Sequence, residues 1–456
     1  MEESSQNEYV HLEPFIHQVG GHSSMLCLDE ATVCKPLVPR ELKFYQTLPE
    51  PVQKFVPKFY GVIQVQVVQE DGGYVTLIAN PPDCYKPKTS NNKSRVRIRR
   101  SGSIEIDGEA IELFDAEQLN TSEDCGSSEK GSTSTGVALN PWVLKCHRTQ
   151  LQNLIADIDS ENNAPNFILL ENLTWKFTFP CILDLKMGTR QYGDTASLPK
   201  KQSKMYKVVS TTSGKLGARI GGMQVYQVTT RRFLCRNKFY GRSLSVSGFQ
   251  QALRQFLHNG SRLRSDVLSP LIRRLEELVV VLARQDAVRF YTTSLLLLYE
   301  GDESCTNPAP EATSFDFKQC ELSRMGSEER IAGLGRRSSS VETLSPLLDR
   351  SFEKLLSEEP AIVASHHRRC SSSTVMYEDA HSSNSSPRES SLSTPLSPLP
   401  KTATPEPLVD VRMIDFAHST HKGLDDPVVY TGPDQGFLFG LENMIALLKG
   451  IERDHG

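Results

Sequence analysis

The sequence predicts an α+β protein of two lobes, and three observations carry that prediction. Short β-like runs dominate its first eighty residues, amphipathic helices gather in its middle, and a late strand with a final helix follows a long polar interruption. In the first block, roughly residues 8–80, the runs MLCLD, ATVCKP, GVIQVQVV and GYVTLIA read as strands, and PRELKFYQTL as one charged helix. The second block, roughly 137–301, opens on a predicted helix with Asn140 as N-cap and Pro141 at the first helical position. Strands follow at NFILLENL and FPCILDLKMG, then the helices SGFQQALRQFL and SPLIRRLEELVVVLARQ, then the strand TTSLLLLYEG. Leu268, Leu271, Leu275, Leu278 and Leu282 recur at three- and four-residue spacing and mark the apolar face of the longer helix. The third block, roughly 408–456, supplies the strand LVDVRMIDFA and the helix FGLENMIALLKGI.

Two stretches lose this periodicity. Residues 81–136 and 302–407 are rich in Ser, Thr, Pro and charge, so they bury too little apolar surface to offset the entropy of ordering. Both are expected to be disordered inserts, with IEIDGEAIELF the one run able to pair locally. The longer insert would loop between adjacent core strands, because closure cost grows slowly with loop length.

Composition narrows the class. The 456 residues are 38% hydrophobic and carry a formal net charge of −4, so a true core is available and any polyanion site must concentrate its cations locally. Ten cysteines without a C-x-x-C pair suit a reduced, intracellular protein. The acidic, polar start MEESSQNEYV excludes a secretory signal, and the longest apolar runs fall far short of the ~20 residues a membrane span needs.

The strongest chemical signal is Pro180-Cys-Ile-Leu-Asp184-Leu-Lys186-Met-Gly188. In a strand, Asp184 and Lys186 point to one face, offering a carboxylate beside a cation, and Gly188 allows a sharp turn. An isolated D-x-K is most often a strand-edge salt bridge. The whole P-x-x-x-D-x-K-x-G pattern, followed in order by Ser294-Leu295-Leu296 and Ile414-Asp415-Phe416, resembles the inositol polyphosphate kinase family. The runs LEPFIHQVGGHSSM, ENLTWKFTFPCILDLKMGTRQYGD and GMQVY resemble most the hexakisphosphate kinases of animals.

That resemblance implies a two-lobed kinase-like fold, ATP as phosphoryl donor, and Mg²⁺ as its metal. It implies that Asp415 binds the metal, as a carboxylate at a strand end can hold a hard cation. Asp184 would position ATP ribose or metal, and Lys186 would bind the transferring or accepting phosphate. Lys35 would touch ATP phosphates with Glu41 as ion-pair partner. Glu171, Asn172 and Leu173 would form the adenine-binding hinge, and Gly20-Gly21 would allow the backbone close to phosphate. Lys200, Lys201, Lys204 and Lys207 occupy the substrate segment. Of these, 200, 204 and 207 share a helical face, which suits a phosphate-dense ligand, although such a row is elsewhere a solvated face. His418 would also face substrate.

The expected substrate is inositol hexakisphosphate, with lower inositol phosphates as further partners, and the product a pyrophosphate at ring position 5. A multikinase acting on free hydroxyls and a non-catalytic scaffold are the alternatives. Neither nucleic acid nor a membrane span is expected. The phosphorylatable inserts would serve regulatory partners, and the run KSRVRIRR, commonly just solvated, would suit a protein of nucleus and cytoplasm.

Overall fold

The computed structural model describes chiefly residues 9–82, 96–99, 104–106, 109–110, 164–304 and 406–455. The first sheet contains β1 (Val10–Pro14), β2 (Leu26–Asp29), β3 (Thr32–Pro36), β4 (Phe59–Gln69), β5 (Tyr74–Ala79), β6 (Val96–Arg99), β7 (Ile104–Ile106), β8 (Glu109–Ala110) and β9 (Asn166–Glu171). Their order is β1-β2-β3-β9-β4-β5-β6-β7-β8. β1 pairs with β5 through Val10–Leu12 and with β2 through Glu13–Pro14, so six strands close on themselves. Strand alternation builds the interior. Val75, Leu77 and Ala79 of β5 turn inward and meet Leu26, Cys34, Ile63, Val65, Phe167 and Leu169.

Two expectations are corrected here. The stretch 81–136 was read as an insert, but β6–β8 within it extend the sheet from β5, two of them in the run that could pair locally. β9 was read into the second lobe with residues 137–301. It lies instead between β3 and β4, because its apolar run NFILLE is covered on both faces in the first sheet. The division between the sheets therefore falls after Glu171. The helix expected after Asn140 lies outside the described residues.

The second sheet contains β10 (Pro180–Met187), β11 (Ala218–Gln227), β12 (Arg232–Arg236), β13 (Ser294–Glu300) and β14 (Val409–Ile414), in the order β12-β11-β10-β13-β14, all antiparallel. Sequence reading missed β11 and β12 as strands, since Gly221-Gly222 interrupts the apolar pattern of β11. The helices are α1 (Pro39–Thr47), α2 (Glu50–Gln53), α3 (Leu198–Val209), α4 (Thr212–Leu216), α5 (Lys238–Ser243), α6 (Val246–Phe256), α7 (Leu268–Ala283) and α8 (Gln435–Arg453). The five leucines predicted to line α7 are all buried, and α7 packs against α8 and β14. Asp434 caps α8 by accepting the Phe437 N–H at 3.0 Å. Among the described residues, no helix is long and apolar enough to cross a membrane.

β13 and β14 are direct neighbours, with Tyr299 opposite Val409 at the end where the chain leaves for residue 302. A short linker can span that gap. Replacing residues 305–405 with a short Gly/Ser linker is expected to leave the thermal midpoint and activity near those of the full chain. A soluble variant that loses most of its kcat/KM would show that the segment completes the site.

Candidate active site

The site is built where three chain segments deliver charge to one point. β3 carries Lys35, α1 carries Glu41, and Asp415 directly follows β14. Lys35 Nζ donates to Glu41 Oε1 and to Asp415 Oδ1, both at 2.8 Å. Lys186 Nζ, from β10, donates to Asp415 Oδ2 at 2.5 Å. One carboxylate thus accepts an ammonium from each sheet. Glu41 is fully buried, and its Oε1 also accepts the Phe416 N–H at 3.0 Å. Phe416 in turn stacks on Phe44 of α1 with centroids 4.6 Å apart, which fixes the helix against the strand end.

Asp415 adopts φ +68°, a left-handed conformation that disfavours residues other than glycine. Such strain survives where surroundings over-determine it. Here Glu41 holds the next amide, and Thr293 Oγ1 donates to the Asp415 carbonyl at 3.3 Å. Burial alone would raise the Asp415 pKa, but Lys186 and Lys35 overcome it and hold the carboxyl well below its usual range. Burial likewise opposes the charge on Lys35 and Lys186, and their carboxylate neighbours more than restore it.

Asp184 lies two residues before Lys186 and is 2% exposed. Its pKa is raised, first by burial and then by Asp415, with Lys186 pulling the other way. Its Oδ1 is buried and has no hydrogen-bond partner among the described residues. Gly20 lies directly over this carboxylate, and a Cβ there would stand 2.0 Å from Oδ2. The glycine pair thus permits a close approach as expected, but to Asp184. Asp184 and Asp415 are hard oxygen donors close enough to influence one another, one with an unpartnered oxygen. They suit a divalent cation that completes its shell with water and phosphate oxygens. Among the described residues, no three His, Cys, Asp or Glu side chains cluster to hold a metal on their own.

Glu171, Asn172 and Leu173, expected to form a hinge, stand at the end of β9 and just beyond it. Glu171 Oε2 accepts from Lys58 N at 3.2 Å and from Arg412 Nη1 at 3.3 Å. Asn172 Nδ2 donates to the Glu30 carbonyl at 2.7 Å, and its Oδ1 accepts from both N–H and hydroxyl of Thr174. The amides of Glu171 and Asn172 are bonded to Lys58 and Ala31 carbonyls. These two side chains therefore shape the connection, and the groups remaining for a ligand are backbone ones such as the Leu173 amide.

α3 carries the predicted lysines on an unusual helix. None of its residues is buried, yet Leu198, Met205, Tyr206 and Val209 stand exposed while Lys200, Lys201, Lys204 and Lys207 are partly covered. Hydrophobicity alone would turn it the other way. Lys200 and Lys204 lie near enough to His418 to disfavour its charge, and with burial as the larger cause its pKa falls to about 4. His418 is therefore neutral at pH 7, packed against Gly193. The row beside His418 is thus assembled from α3 and the segment after β14. Sequence reading missed Arg40, whose guanidinium holds Asp426 and the Ser419 carbonyl and so pins that segment. Its signal was adjacency to Glu41.

A family model described as inositol polyphosphate kinase matches residues 167–449. Human inositol hexakisphosphate kinase 1 is 38% identical over 97% of this chain and 94% of its own length. Human inositol hexakisphosphate kinase 3 is 37% identical over 97% of this chain and 96% of its own. Among solved structures, the S. cerevisiae inositol phosphate multikinase in complex with ADP and Mn²⁺ aligns at a TM-score of 0.43 and 16% identity, covering 92% of this chain and 99% of that one.

Because Asp415 neutralises two ammonium groups, Asp415→Asn is expected to cost folding stability as well as activity. The loss should be about 1–3 kcal/mol, and adding Lys186→Met should recover part of it by removing the stranded charge, since Lys35 keeps Glu41. Denaturant unfolding of the single and double variants measures both effects. An unchanged midpoint for Asp415→Asn would show that the two ion pairs contribute nothing to stability.

Proposed function

The chain belongs to the inositol polyphosphate kinase family, and from that premise we propose that it transfers the γ-phosphoryl of ATP to a phosphate of inositol hexakisphosphate. The observation that carries the reading is convergence: Lys35, Lys186 and the α3 lysines surround one carboxylate and one neutral histidine in a chain with mildly negative net charge. A polyanion acceptor accounts for lysines held inward on a helix whose apolar residues face water. The nearly full-length likeness to hexakisphosphate kinases supports that acceptor over a ring with free hydroxyls.

ATP would lie between the sheets, its adenine against the backbone at Glu171 and Leu173, beyond Asn172. Asp415, with Asp184 beside it, would hold Mg²⁺, which supplies neutralisation of the phosphate oxygens when bound. An ammonium has three donors. Lys35 spends two, on Glu41 and Asp415, and Lys186 spends one, on Asp415. The remaining donors would meet phosphate oxygens of donor and acceptor. An acceptor phosphate is already ionised near neutral pH, so no strong general base is required, and alignment with charge neutralisation carries the rate. His418, held neutral, adds a hydrogen bond to substrate, and Lys200, Lys201, Lys204 and Lys207 grip the ring. The product would be a diphosphoinositol pentakisphosphate, phosphorylated at position 5. Placement in the nucleus and cytoplasm, and regulatory partners at the Ser-rich stretches, belong to the same proposal. They rest on the sequences of those stretches alone.

The deciding assay incubates purified protein with Mg-ATP and a panel of inositol phosphates, with products separated by charge. Conversion of the hexakisphosphate to a more anionic species is expected, and its absence would refute the assignment. In the same assay Asp415→Asn should lower kcat at least ~10²-fold.

A second measurement addresses the α3 row. The double variant Lys200→Ala/Lys204→Ala should raise the KM for inositol hexakisphosphate about tenfold or more, with a smaller effect at high salt and little change for ATP. Equal KM values for the inositol substrate in variant and wild type would assign those lysines to a solvated face.

A further inference from the structure

A polyanionic acceptor accounts for the lysines of α3 but gives the other face of that helix no role. Leu198, Met205, Tyr206 and Val209 are 69%, 54%, 73% and 81% exposed. At 3.6 residues per turn these four fall on one stripe along the helix. Lys200, Lys204 and Lys207 fall on the opposite side, and Lys201 stands about 40° round the helix from Met205, at the border of the stripe. Single exposed apolar residues are ordinary on a protein surface, whereas four aligned on one short helix mark a surface that something covers. The stripe continues past α3. A Cβ at Gly214 of α4 would stand 3.7 Å from the Val209 Cα, and one at Gly217, just beyond α4, would stand 2.8 Å from the Phe439 ring. α4 therefore joins Val209 to Phe439 of α8, which is itself exposed, and Lys215 stands exposed on α4 between these two contacts.

The charge around the stripe has one sign. From Thr195 to Ser265 the sequence holds fourteen Lys and Arg and no Asp or Glu, in a chain whose formal net charge is −4. Both α3 and α4 lie in that stretch. An apolar stripe with lysine at its border and along its polar side is the make-up of a helix that lies in the plane of a membrane interface. Tyrosine and lysine suit that depth, because each sets an apolar body below a polar tip. A protein partner fits less well, since a stable interface takes ~20–30 residues from each side and this stripe is one helix wide.

We propose that α3 lies flat on a bilayer surface that carries anionic headgroups, with Leu198, Met205, Tyr206 and Val209 set into the headgroup boundary and Phe439 at the edge of the contact. Lys201 and Lys215 meet the anionic headgroups, and the rest of the acid-free stretch adds an attraction that salt screens. The lysines beside His418 stay with the soluble acceptor, so one helix separates lipid from the site. The proposal stands apart from the kinase reading, since it needs only the outer face of α3.

The test is co-sedimentation of the purified full chain with vesicles of phosphatidylcholine and phosphatidylserine at about 3:1, beside vesicles of phosphatidylcholine alone. The chain should bind the anionic vesicles at least about fivefold more tightly than the neutral ones, and the difference should shrink at high salt. The double variant Met205→Gln/Val209→Gln should bind the anionic vesicles about tenfold more weakly. Its thermal midpoint, and its kcat/KM toward soluble hexakisphosphate without vesicles, should match those of the wild type. Lys215→Gln should weaken binding about fivefold at low salt. Equal vesicle binding by wild type and double variant overturns the proposal, as does binding to neutral vesicles as tight as to anionic ones. Absence of binding to either vesicle also overturns it and leaves the stripe to a protein partner. Vesicle binding that saturating hexakisphosphate abolishes and the double variant retains would place the headgroups in the acceptor site, which overturns it too.

Discussion

The Asp415 carboxylate, shared by Lys35 from one sheet and Lys186 from the other, is the constraint around which the rest is arranged. Two ammonium groups cannot be brought together in a partly buried place without an anion between them. Glu41 takes part of the Lys35 charge and, through the Phe416 amide, also fixes the backbone that presents Asp415. The left-handed conformation of Asp415 is the local cost of aiming its carboxylate between the lysines. The stack of Phe44 on Phe416 and the bond from Met413 N to the Phe55 carbonyl at 2.6 Å keep the first-sheet helices on that strand end.

Around that point the charges are unevenly placed. Glu41, Asp184 and Asp415 are the carboxylates about Lys35 and Lys186, and Asp184 lies under Gly20 with an Oδ1 that has no hydrogen-bond partner among the described residues. Lys200 and Lys204 of α3 stand near His418. The exposed Leu198, Met205 and Val209 on α3 show that hydrophobic burial did not choose the orientation of that helix. The charge of its lysines accounts for it better.

Much of the fold was legible because periodicity and burial agree. The leucines of α7, the alternation of β5 and the apolar runs of β9, β10 and β13 appear where their patterns placed them. β11 was not, because two glycines interrupt it, and β6 was not, because a polar composition concealed a short strand, whereas β7 and β8 fall in the run that could pair locally. Asp184 and Lys186 could be placed on one face by strand alternation, but their roles and that of Asp415 were expected only from the family resemblance of the three ordered motifs. The place of Arg219 opposite Lys186 could not be foreseen, since nothing in GARIGG singles it out.

By itself the sequence determined which segments become strands and helices, which residues carry charge at strand ends, and which family the chain resembles. These properties are local, set by residue type and by periods of two and 3.6. Only the tertiary structure decided that Lys35 and Asp415, 380 positions apart, meet in a hydrogen-bonded ion pair of 2.8 Å, and that β9 serves the first sheet. Only it decided that Arg219 stands opposite Lys186. The physical reason is that strand pairing and helix docking are selected by buried area and charge balance summed over distant segments, and no local pattern contains that sum.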